Sequence, residues 1–100
     1  MKDMKAAMIL FDSELREEIF MIMKLVEIVN YTLLPNLFGS GNQGKKEGSI
    51  AWPGNNEIVL LVVTLAQYEK VKEEIHNYKK NRASKAGLLL LSWSLDEVIV

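Results

Sequence analysis

Apolar residues follow two patterns along the chain. Ala6, Ala7, Met8, Ile9, Leu10 and Phe11 run without a break between Lys5 and Asp12, too short for a helix and suited to a strand covered on both faces. Leu15, Ile19, Ile22 and Val26 then recur at steps of four, three and four, the stripe of an amphipathic helix. Asp12 or Ser13 can cap that helix, and Glu14, Glu17 and Glu18 suit the positive end of its dipole. The stretch 29–37 is strand-like, but Pro35 withholds a ladder donor and places the strand at a sheet edge.

Ile58, Val59, Leu60, Leu61, Val62 and Val63 form a second unbroken run, which predicts a central strand. Tyr68, Val71, Ile75 and Tyr78 return to helical spacing, with Glu69, Lys70, Lys72, Glu73 and Glu74 on the solvated side. After a polar turn that Gly87 ends, 88–93 reads as a last apolar strand, and 96–100 as a short extra one. The order is β-α-β-β-α-β. It predicts an α+β, ferredoxin-like fold: a four-stranded antiparallel sheet with two helices on one face. The other face would be apolar and bare, which self-association into a closed ring would cover. A homotrimer is therefore expected, with either Val62 or Val63 pointing into the interface.

One hundred residues make one domain, 1–100, and 49% hydrophobic with 25% charged residues is ordinary globular material. A net charge of −1 supplies no basic field for nucleic-acid phosphates. The absence of cysteine rules out disulfides, thiolate metal sites and a cysteine nucleophile, and a single histidine rules out multi-histidine metal clusters. No nucleophile and base stand at motif spacing, so an enzyme is not expected. The apolar run at 6–11 is too short to span a membrane and is followed by no leader cleavage site, which makes a cytoplasmic location the expectation.

Gly39, Gly41, Gly44 and Gly48 crowd the stretch between Phe38 and Ser49. Gly39 to Gly44 match G-x-G-x-x-G, but the following Lys45, Lys46 and Glu47 show no helical apolar face, so the dinucleotide fingerprint fails on context. What remains is a flexible hairpin excursion over 38–56, either a plain solvated loop or one whose backbone N–H groups wrap an anion beside Lys45 and Lys46.

Tyr31 and Thr32, followed by Leu37, Phe38, Gly39, Ser40, Gly41, Asn42, Gln43 and Gly44 ahead of an Ile/Val strand, resemble the nitrogen-regulatory PII proteins, in which G-F-G-x-Q-x-G opens the long T-loop. The resemblance implies a trimeric signalling protein with adenine nucleotide (ATP, ADP or AMP) in clefts between subunits and T-loops that engage a partner protein. It puts Thr32, Gly39, Ser40, Gly41 and Gln43 near the nucleotide, with Arg82 and Lys85 of a neighbouring subunit as the remnant of the second phosphate loop. Lys45, Lys46 and Trp52 would contact the partner. The stretch 81–87 lacks the paired glycines and aspartate of the family's T-G-x-x-G-D-G-K, and the excursion has no tyrosine, which fits a PII-like relative better than a nitrogen sensor. The CutA-type metal-tolerance trimers share the fold and form the alternative reading.

His76 lies off the second helical stripe and reads as a solvated residue. Trp52 reads first as an anchor for the returning arm of the loop, and Trp93 as core or interface. Met8, Met21 and Met23 fall in apolar segments and read as packing.

Overall fold

The computed structural model describes residues 3–39, 54–81 and 86–100. Its elements are β1 (Met4–Asp12), a 3-10 turn (Ser13–Leu15), α1 (Arg16–Leu25), β2 (Thr32–Gly39), β3 (Gly54–Thr64), α2 (Leu65–Asn81) and β4 (Leu88–Ser94). The strands form one antiparallel sheet in the order β2-β3-β1-β4. This is the ferredoxin-like α+β arrangement that the element order predicts, with β2 on the edge.

Strand pairing sorts the apolar runs into two faces. Ala7 lies opposite Leu61 and Ile9 opposite Val59; with Phe11, Val63 and Leu88 they form a buried layer under Leu15, Ile19, Ile22 and Met23 of the first helical segment and Tyr68, Val71 and Ile75 of α2. Residues one step along face the other way. Ala6 lies opposite Val62 and Trp93, Met8 opposite Leu60 and Leu91, and Leu10 opposite Ile58 and Leu89. Neither helix covers this second face. Ala6 and Leu10, on the inner strand β1, are buried among their neighbours, whereas Val62, Leu91, Trp93 and Leu34 are exposed.

The helix ends have local causes. Asp12 holds an extended backbone and its carboxylate accepts from the Glu14 N–H at 2.9 Å, which opens the turn into α1. At the other end Ile28 N–H donates to the Met23 carbonyl at 2.9 Å and Glu27 N–H to that of Lys24 at 3.0 Å. This is a Schellman stop, with Glu27 in the left-handed region at φ 61. Thr64 and Gln67 form a capping box before α2: Gln67 N–H donates to the Thr64 hydroxyl and Thr64 N–H to the Gln67 side chain, each at 3.1 Å.

Three expectations change and one is narrowed. Strand two begins at Thr32 rather than at 29, because Glu27 and Ile28 are spent on the helix stop and Ile28 is buried beside Met23. The tail 96–100 forms no strand: the β1–β4 ladder ends with Lys5 opposite Ser94, and among the described residues no further strand lies alongside β4. Met21 is not packing but exposed, on the outer side of α1, while Met23 is in the core. Of the two readings of Trp93, core or interface, the core is excluded: it stands half-exposed on the uncovered sheet face. His76 is exposed.

Candidate loop-base site

The described chain leaves the sheet at Gly39 and re-enters it at Gly54, which stand opposite each other in the β2–β3 ladder. Several segments gather at this end. The Asp12 N–H donates to the Gly87 carbonyl at 3.0 Å, and Asp12 lies opposite Asn56. Lys79 reaches from the last turn of α2 to the Leu88 carbonyl at 2.8 Å. Gly87 and Leu88 are thus tied to the loop-base end of their own chain.

Glu57 sits three residues into β3 and has the same alternation as Val59, Leu61 and Val63, so it points into the helix-covered side. It is 1% exposed. A buried carboxylate needs a counter-charge and hydrogen bonds, and Arg16, the first residue of α1, supplies them. Arg16 Nε donates to both Glu57 oxygens, at 2.9 and 3.0 Å, and Nη2 donates to Oε2. Hydrogen bonding to Glu57 and then its charge push the Arg16 pKa above its ordinary value, against a smaller desolvation effect. The pair faces a polar cleft of about 520 Å³ lined by Ser13, Glu14, Glu17, Asn36 and Asn55 as well. Composition gives no hint of this pair. The signal that could have found it is the inward phase of Glu57 immediately before an apolar strand.

Of the candidate ligand and partner residues, Thr32 and Gly39 are described. They are the first and last residues of β2, separated by seven steps of about 3.3 Å each, so one chain does not bring them together. Thr32 is exposed, lies opposite Leu60 and shares the uncovered face. Ser40, Gly41, Gln43, Lys45, Lys46, Trp52, Arg82 and Lys85 lie outside the described residues.

A second cleft, about 610 Å³ and mainly apolar, lies beside the helix stop between Phe20, Met23, Ile28, Val29 and Tyr31. Among the described residues no three histidine, aspartate or glutamate side chains stand together as a metal cluster, and no helix is long and apolar enough to cross a membrane.

No protein-family model matches the chain, and no curated protein matches it. Solved structures do. A nitrogen regulatory PII-like protein, CPII, from Thiomonas intermedia K12, bound to ADP, AMP and bicarbonate, aligns over 96% of each chain at TM-score 0.63 and 16% identity. GlnK of B. subtilis in complex with ATP aligns over 96% of this chain and 86% of its own at TM-score 0.68 and 14% identity. A protein of Thermus thermophilus, described as PII-like and signalling, aligns over 92% of this chain and 86% of its own at TM-score 0.61 and 17% identity. The fold of this chain is the PII-like fold.

Proposed function

We propose that the chain is a PII-like regulatory subunit: a homotrimer that takes an adenine nucleotide in the clefts between its subunits and signals to a partner protein through the segment 38–56. The observation that carries this reading is an uncovered apolar sheet face on a fold shared with proteins solved with ADP, AMP and ATP. Burying that face takes other copies of the same surface, and cyclic closure is the common way to do so.

Assembly also bears on the ligand site. Thr32 and Gly39 are at opposite ends of β2, so they can share a ligand only across a subunit boundary, with the Thr32 end of one copy beside the loop base of the next. In that cleft Gly39, Ser40, Gly41 and Gln43 would offer backbone and side-chain donors to phosphate, with Arg82 and Lys85 supplying charge. Lys45, Lys46 and Trp52 would meet the partner protein. The subunit acts by binding and conformational change, without covalent chemistry, in the cytoplasm and without nucleic acid. Titration calorimetry with ATP, ADP and AMP tests the reading: heat of binding at or below millimolar nucleotide supports it, and none with all three removes it.

A further inference from the structure

The sheet changes character at one row. Phe11 pairs with Glu57 on one side and Leu88 on the other. On the β2 side the ladder slips there: Leu34 faces Ile58, Leu37 faces Asn56, and Pro35 and Asn36 lie between without register partners. Asn36 takes the left-handed region at φ 59. Beyond this row β4 has not begun and β1 ends at Asp12, so Asn55 and Gly54 pair with β2 alone, as a two-stranded ribbon leading to the excursion. A ribbon that leaves a sheet through a bulge can change its angle there, because the ladder is interrupted and the strand bent.

In this chain that hinge row is tied to a helix. Glu57 occupies it and is gripped by the first residue of α1 through Nε and Nη2 of Arg16. An apolar pair would join helix and strand without burying a charge, so adhesion alone does not call for an ion pair. What a planar guanidinium fork on a carboxylate adds is direction, since two parallel donors fix the angle as well as the distance. Moving the ribbon away from α1 would separate the buried Glu57 from its counter-charge and break the hydrogen bonds that Arg16 gives it. The outer side of Arg16, whose side chain is 46% exposed, faces the cleft that Asn36 and Asn55 line, one from each strand of the ribbon.

We propose that the Arg16–Glu57 pair is a clamp that fixes the angle of the loop-base ribbon to helix α1 and carries a displacement of either one to the other. Arg16 and Glu57 are positioning residues in this role, not ligand contacts. The clamp is a property of the free chain; only the nature of the event that loads it rests on the nucleotide reading above.

Amide hydrogen exchange on the full chain tests it, with Arg16→Met combined with Glu57→Leu to keep adhesion and remove direction, and Glu57→Gln as a milder second variant. Without ligand, the double variant should melt with the wild type while exchange at 37–39 and 54–57 quickens at least about tenfold and that at 59–63 stays unchanged; Glu57→Gln should fall between. Wild-type exchange at the ribbon in both variants would overturn the clamp. So would quickening spread evenly over the sheet together with a lower melting temperature, since that describes simple adhesion. With ADP added, the wild type should show altered exchange at 16–20 and the double variant should bind ADP equally well without that change. A response of α1 that persists in the double variant also overturns the clamp. If ADP does not bind the wild type, the nucleotide reading fails, and the ligand-free comparison still decides the clamp.

Discussion

Val62 and Val63 are neighbours in β3 that face opposite ways: Val63 is 3% exposed beneath the helices, while Val62 is 49% exposed opposite Ala6 on the uncovered face. A single peptide bond separates the core of the protomer from the surface by which we expect protomers to meet. Which of the two points outward cannot be read from an unbroken apolar run, because both faces of the strand look alike in sequence.

The first expected outcome follows from that difference. Wild-type protein should scatter light with the mass of a trimer. Val62→Glu should give a folded monomer with an unchanged far-ultraviolet spectrum, because its charge faces water once the copies separate. Val63→Glu buries an unpaired carboxylate and should abolish folding or cost more than about 4 kcal/mol. A monomeric wild type at micromolar concentration would remove the ring and the shared cleft with it.

Glu27 holds a position where glycine is at ease. A residue with a Cβ in the left-handed region costs about 1–2 kcal/mol, and glycine gives part of that back as extra freedom of the unfolded chain. Glu27→Gly should therefore stabilise the protein by about 0.5–1 kcal/mol, raising the melting temperature by a few degrees at fixed protein concentration. Glu27→Val should lower it.

The capping box before α2 gives a prediction of opposite sign. Thr64→Ala removes the acceptor for the Gln67 N–H and should cost about 1 kcal/mol in a urea melt, within a range of about 0.5–2. Thr64→Ser or Thr64→Asp should keep most of the stability. Because Thr64 is exposed, a larger loss would mean that it does more than cap.

Ligand binding should sort the lysines. If nucleotide phosphate sits at the loop base, Lys85→Ala or Arg82→Ala should weaken ADP about tenfold, the loss of one charge-assisted hydrogen bond, while Lys46→Ala changes it little. Raised salt should weaken binding to every variant. Partner binding should rank the same substitutions in reverse. Equal ADP affinity in all three variants would place the site elsewhere.

Much of the fold was legible because periodicity is a local signal. The steps among Leu15, Ile19, Ile22 and Val26 fix a helix whatever surrounds them, and all four residues are buried. Pro35 fixed β2 at an edge for a reason internal to one residue. What was not legible depends on distant partners. Nothing near Glu57 in sequence names Arg16, since the two are brought together only when β3 pairs beside β1. The Schellman stop at Glu27 was hidden because glutamate is an unusual residue for it, and the strand-like 29–31 misled for the same reason. Thr32 and Gly39 were grouped through the family resemblance alone, and only the extended strand between them shows that a shared site would need the ends of β2 from two copies.

The order β2-β3-β1-β4 also bears on how the chain is made. β1 lies between two strands that come much later, since its ladder partners are at 56–64 and 88–94. The first helical segment follows at once, but Ile9 and Phe11 leave the ribosome well before the strands that flank β1, and at roughly 5–20 residues per second the wait for β4 lasts several seconds. Contacts that close such long loops also slow folding after release. The nascent chain thus passes through an interval in which β1 has no ladder partner and its open edges can meet chaperones, or the same segment on a neighbouring ribosome.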